Sequence, residues 1–234
     1  MHGRVPVSFP VYNATGWLTE ATSAQRRRLW ESAVGQLAAI HRVPVDDVRL
    51  VDRPQRGVDG LDQQVTYWRQ FAAWALGDEV PPIIRTLLDW LVDHRPSRTV
   101  PGLAWGDARI GNMMFGPDYE VVGVMDWEQA SLADPLTDLG WWLFFGDIHS
   151  TDHGVPRLDG LGGREETIDA WRELTGRTVH DLHWYEVFAG VKTGLLALRS
   201  QRSLRIPKAE GAARNMFLTR ACRLAELTPP EESA

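Results

Sequence analysis

The chain has 234 residues, 44% of them hydrophobic and 24% charged, with a formal net charge of −6 at pH 7. That length suits one large domain or two small ones with a real core, and the mild acidity argues against a nucleic-acid binder working through a broad basic surface. The single cysteine, Cys222, excludes an internal disulfide, and no apolar run is long enough for a signal peptide or a membrane span, the densest being 141–145. A soluble, cytoplasmic protein without a membrane or nucleic-acid partner is the expectation.

Residues 1–18 show no clear periodicity, and their prolines together with Asn13-Ala14-Thr15-Gly16 predict an irregular entry. Thr22-Ser23-Ala24-Gln25 has the spacing of a capping box. Behind it Trp30, Ala33, Val34, Leu37, Ala38 and His41 recur at helical spacing, which predicts an amphipathic helix over 25–42. A second helical pattern runs over 62–76 through Val65, Trp68, Phe71, Ala72 and Leu76. Pro81-Pro82 opens a third, striped by Ile84, Leu87, Leu88 and Leu91. The character changes at Arg95-Pro96-Ser97. Residues 103–105 predict a short strand, while 113–115 and 121–125 predict a hairpin joined by a Gly116-Pro117-Asp118 turn. Asp134-Pro135 predicts an N-cap and first position of another helix, and 165–174 and 184–202 complete the helices. Residues 228–233 predict a frayed end. The expectation is one mainly helical α+β domain with a small β insertion.

The chemistry concentrates in Trp105-Gly106-Asp107-Ala108-Arg109-Ile110-Gly111-Asn112, between the short strand and the hairpin. Asp126 follows Asp107 by nineteen residues and ends the second hairpin strand, in Asp126-Trp127-Glu128. Two Asp and an Asn at one end of a small sheet suit phosphoryl transfer. One carboxylate must orient the attacking hydroxyl and take its proton, and hard oxygen donors must hold Mg²⁺ against the phosphates. Asn112 and Asp126 offer such donors, which leaves Asp107 to act as base.

Asp107 with Asn112 five residues on has the spacing of the kinase catalytic loop. The chain more closely resembles the aminoglycoside phosphotransferase family, whose members read His-Gly-Asp…Asn, then an Asp-Trp-Glu-like motif, then Asp-Pro…Asp. Here these are Gly106-Asp107…Asn112, Asp126-Trp127-Glu128 and Asp134-Pro135…Asp138. Trp68-Arg69-Gln70 and Leu139-Gly140-Trp141-Trp142 are most similar to the branch related to phosphotransferase domains fused to acyl-CoA dehydrogenases. The resemblance implies a protein-kinase-like fold, C-terminal lobe only. By that resemblance residues 1–20 are a post-hinge entry segment, 21–227 the catalytic lobe and 228–234 a tail. It implies Asp107 as catalytic base, with Arg109 near the transferring phosphoryl. Asn112 and Asp126 would be the Mg²⁺ ligands and Met114 the floor of the ATP adenine pocket. Asp138 would brace the loop backbone, and Trp105 and Glu128 would flank the site. The implied reaction moves the γ-phosphate of ATP to a hydroxyl of a small molecule.

Two positions depart from the family pattern. Trp105 replaces the usual His, keeping the packing but not that residue's hydrogen bond. No lysine precedes Lys192, and glycines before Ala104 are isolated, so the family's glycine-rich loop and strand lysine have no counterpart. The nucleotide lobe is therefore expected to be absent, and turnover by this chain alone is doubtful. The cleft face, with Met114, the Trp105 loop and the segment from Val5, is then expected to self-associate or to meet a separate nucleotide lobe. A non-catalytic remnant or binding module of the same fold is the alternative, and a metal-dependent hydrolase is a third. His149 and His153, four apart, are expected to be loop residues rather than metal ligands. Asp147, Asp152 and Asp159 are expected in a solvated loop rather than an acidic substrate wall.

Overall fold

The computed structural model describes residues 2–77, 80–201 and 208–230 of the chain. In chain order the elements are α1 (Trp17–Glu20), α2 (Ser23–His41), α3 (Gly60–Leu76), α4 (Pro82–Asp93), β1 (Gly102–Ala104), β2 (Met113–Phe115), β3 (Val121–Val124) and β4 (Ser131–Ala133), followed by α5 (Leu136–Ile148), α6 (Arg164–Thr175), α7 (Leu182–Gln201), α8 (Lys208–Ala213) and α9 (Met216–Leu224). They form two compact units, Met1–Val51 with Gly102–His180, and Asp52–Pro101 with Asp181–Ala234.

In the first unit the expected capping box starts α2. Thr22 Oγ1 accepts from the Gln25 amide at 3.2 Å, and the Gln25 side-chain oxygen accepts from the Thr22 amide at 2.8 Å. Two otherwise unpaired donors at the helix start are thereby satisfied. The apolar stripe, including Trp30, Leu37 and His41, is buried, and α2 packs on α6 and β1. Two small antiparallel sheets lie in this unit. In one, β1 pairs with β4, Leu103 opposite Leu132; in the other β2 pairs with β3, Met113 opposite Val124. Arg4 adds a bridge to the second sheet, exchanging two backbone hydrogen bonds of 2.8 Å with Phe115.

The second unit is helical and centred on α7, which packs on α3, α4 and α9. Asp59 caps α3 by accepting from the amides of Leu61 and Asp62, both at 3.0 Å, and Arg95 bonds to its carboxylate. The Trp184 indole donates to the Leu91 carbonyl at 2.9 Å. Asn215 caps α9 and also donates to the Gly194 carbonyl at 3.0 Å.

Several expectations are corrected. Strand β4 was not foreseen, nor were α1, α8 and α9, all short. Trp105 lies beyond β1 rather than in it, and β3 stops at Val124. Helix α5 begins one residue later than Pro135, yet Asp134 Oδ1 still accepts from the Leu136 amide at 3.0 Å. Residue 202 of the expected α7 and residues 231–234 of the expected tail lie outside the described residues. No helix among the described residues is long and apolar enough to cross a membrane.

Candidate active site

The loop between β1 and β2 is anchored by one fully buried carboxylate. Asp138, in the first turn of α5, accepts from the Trp105 amide at 2.6 Å and from the Gly106 amide at 2.8 Å. A third contact comes from His41 Nε2 at 3.0 Å, and the Trp171 indole donates to His41 Nδ1 at 2.8 Å. An indole N–H can only donate, so the imidazole hydrogen sits on Nε2 and points at Asp138. The chain of bonds thus runs from α6 through α2 and α5 to the loop. Gly106 turns with φ +98°, and a β-carbon there would come within 2.4 Å of the Gln129 carbonyl oxygen. Only glycine accommodates both the angle and the approach.

Trp105 is fully buried. Its indole makes hydrogen bonds of its own, donating to the carbonyls of Met125 at 2.8 Å and Asp126 at 3.2 Å. This residue ties the loop to the end of the hairpin.

Asp107 is nearly buried, and one of its oxygens takes two donors. Oδ1 accepts from Arg109 Nε and from the Trp141 indole, each at 2.9 Å, while Oδ2 has only Arg109 Nη2 at 3.4 Å. The Arg109 guanidinium also donates to Ser8 Oγ at 2.6 Å. Arg109 therefore sits on the carboxylate of the candidate base itself, not apart from it. Ser8 was not singled out from the sequence, which marked Trp141 as part of an apolar run and of the Leu139-Gly140-Trp141-Trp142 motif but gave it no role at the site.

Asn112 is buried and donates its side-chain amide to the Asp107 carbonyl at 3.2 Å, which turns its amide oxygen the other way. Its own carbonyl accepts from the Met125 amide at 3.0 Å, so Asp126 follows directly at the same end of the hairpin. Asp126 is exposed with φ 58°, left-handed backbone that an aspartate adopts more readily than most residues. The two residues offer an amide oxygen and an exposed carboxylate, hard donors of the kind that Mg²⁺ takes together with several waters. Glu128 is exposed and forms no ion pair among the described residues. Met114 is half-buried beneath Gly3, where a β-carbon would reach within 2.5 Å of its Cγ. The cleft face expected to lie open is thus partly covered, with Trp105 inside the core.

Beside Arg109 lies a small cleft open to solvent, with Tyr12, Trp142, Phe145 and Arg157 in its walls. Burial pushes the Tyr12 phenol up to about 12, against the pull of Arg157 and Arg109. His149 stands edge-on to Tyr12 at 4.8 Å, its Nδ1 buried without a hydrogen-bond partner. Burial, and then the charges of Arg109 and His153, push it from 6.5 down to about 3, with Asp107 pulling the other way. Between those values the unfolded chain binds a proton that the folded one refuses, so stability falls as pH drops from about 6.5 to about 3. His149→Phe is expected to remove a few kcal/mol of that loss. Urea midpoints measured above and inside this window check it, and an unchanged acid slope would count against it. Asp147 belongs to α5 rather than to a loop, and lies 3.7 Å from Arg157; Asp152 and Asp159 are exposed.

Comparison with known proteins bears on what this arrangement is. The sequence model of the phosphotransferase enzyme family matches residues 11–177. The chain belongs to that family. Its relatives include acyl-CoA dehydrogenase family member 11 of Mus musculus, 32% identical over 165 residues, which are 66% of this chain and 21% of that protein. The Homo sapiens counterpart is 30% identical over 152 residues, 59% of this chain and 19% of that protein. The match thus spans about a fifth of these relatives' length. Among solved structures, a Ralstonia eutropha protein assigned to the aminoglycoside phosphotransferases superimposes with a TM-score of 0.74 at 20% identity, over 97% of this chain and 71% of the other. A thermostable APH(4)-Ia aminoglycoside phosphotransferase, in a ternary complex with AMP-PNP and hygromycin B, gives 0.56 at 16% identity, over 89% and 67%. The mostly helical architecture with small antiparallel sheets is therefore the phosphotransferase fold.

Proposed function

We propose that this phosphotransferase-family chain carries the acceptor and metal half of an Mg²⁺-dependent transfer from ATP to a hydroxyl of a small molecule. The observation that supports this reading is the pair of bonds Asn112 makes, to the Asp107 carbonyl and to the Met125 amide, which tie the loop to the end of the β2–β3 hairpin one residue before Asp126. Asn112 and Asp126 would hold magnesium, which would bridge phosphate oxygens and offset their charge. Asp107 is the proposed base. Arg109 and Trp141 occupy its Oδ1, which leaves Oδ2 to orient the attacking hydroxyl and take its proton. Arg109 would shift part of its charge to the transferring phosphoryl. Met114 is proposed as the adenine floor once Gly3 moves off it, and Glu128 as an outer neighbour of the metal. Because no lysine precedes Lys192, we propose that the phosphate grip is supplied from outside these residues, and that the pure chain does not turn over ATP.

The test is Mg²⁺-dependent binding of a non-hydrolysable ATP analogue by the pure chain. Asp126→Ala is expected to weaken it by at least about tenfold, with Asp107→Asn nearly neutral. Equal losses in both variants would show the roles to be misassigned, and robust ATP-dependent phosphorylation by the pure chain would refute the need for an outside grip. The two donors already on Asp107 Oδ1 favour a second reading, a non-catalytic binding module. Under that reading Mg²⁺ leaves analogue binding unchanged.

A further inference from the structure

The cleft beside Arg109 has charges of one sign in its walls. Arg109 and Arg157 line it, together with the rings of Tyr12, Trp30, Trp142 and Phe145, and no aspartate or glutamate is among the lining residues. Each guanidinium is held from behind. Arg109 rests on Asp107 and Ser8, and its charge lies 5.7 Å from the Phe145 ring centre. Arg157 donates to the Gly162 carbonyl at 3.1 Å and stays 3.7 Å from Asp147. Both arginines therefore arrive pre-positioned, with part of their donor capacity turned toward the cleft. The Tyr12 hydroxyl makes no hydrogen bond among the described residues and remains protonated at neutral pH, which adds a third donor to the same walls. An ammonium group entering here would meet two guanidinium groups in the walls, while their carboxylate partners, Asp107 and Asp147, are not among the lining residues.

Resting on the phosphotransferase reading, we propose that this cleft selects the acceptor, and that the acceptor is an anionic hydroxy compound with an apolar or aromatic body. Its carboxylate or phosphate binds Arg157 and Tyr12, and its body lies against the aromatic walls. Arg109 belongs to both places, since it lines the cleft and bonds to Asp107, so a molecule seated in the cleft touches the immediate neighbour of the base. Arg157 is then the residue that sets specificity.

The experiment is calorimetric titration of the full chain, without nucleotide or Mg²⁺, with 3-phenyllactate and with phenylalaninol. Both carry a phenyl ring and a hydroxyl, and their charges are opposite. The acid is expected to bind at least about tenfold more tightly, as a charge-assisted hydrogen bond allows. Arg157→Gln should remove most of that preference, Arg157→Lys should keep part of it, and Arg157→Glu should reverse it. If the glutamate variant does not fold, the glutamine and lysine variants decide. Equal affinities, a preference for the amine, binding of neither compound, or an acid preference indifferent to residue 157 would overturn the proposal. Acid binding with the expected Arg157 dependence, but without Mg²⁺-dependent nucleotide binding, would instead reject the phosphotransferase reading and leave the cleft as an anion site with no acceptor role.

Discussion

Replacing Asp138 by alanine is expected to lower the stability of the chain by several kcal/mol, at about 1–3 kcal/mol for each buried donor left without an acceptor. Its side chain is fully buried and accepts from two backbone amides and one imidazole. Alanine leaves all three donors without an acceptor in a site that water does not reach. The loss also spreads outward, because His41 then has nothing to hold its Nε2 hydrogen and its bond to Trp171 loses its alignment. Asp138→Asn should be milder, since one carbonyl oxygen remains, but its NH₂ group must face a donor. Against a net stability of about 5–15 kcal/mol for an ordinary domain, the alanine change threatens folding itself. Urea unfolding of both variants checks the order. An alanine variant within about 1 kcal/mol of the parent would mean that the loop is held by something else.

Asp107→Asn is expected to lower kcat by about 10²–10⁴, the usual worth of a positioned general base. Since the pure chain is proposed not to turn over, the measurement belongs to a chimaera that supplies a kinase nucleotide lobe. Asparagine keeps the shape and an acceptor oxygen for the Trp141 indole, so packing changes little. It cannot take the proton, and it releases Arg109 from its ion pair. The affinity for Mg-nucleotide should be nearly unchanged, because the lost interaction matters mainly in the transition state. A rise in the nucleotide KM with kcat intact would place Asp107 in ground-state binding instead.

What the sequence made legible was local. The Thr22 capping box, the stripe of α2 and the hairpin turn all depend on residues within a few positions of one another, and each formed as the spacing predicts. Strand β4 was invisible because three residues, Ser131-Leu132-Ala133, are too few to show a period, and it exists by virtue of β1 about thirty residues earlier. Helix α5 is buried on nearly every side, so no polar face distinguished Trp141 from its apolar neighbours. The bonds that most shape the candidate site are long in sequence. Trp141 reaches Asp107 across 34 residues and His41 reaches Asp138 across 97. His41 looked like one more member of an apolar stripe because its partner is named only by the fold. For Arg109 the family pattern predicted the neighbourhood but not the ion pair with Asp107.

The bonds around Asp138 also set an order of events during synthesis. A ribosome delivers His41 first, then Trp105 and Gly106, then Asp138, and Trp171 last, 130 residues after the histidine it holds. Local segments such as α2 can coil as soon as they emerge. The loop that carries Asp107, however, gains its buried anchor only with α5, and that anchor gains its outer support only with α6. A nascent or prematurely ended chain that stops short of Trp171 therefore carries every residue of the proposed catalytic set and its anchor, but lacks the indole that orients His41 against that anchor.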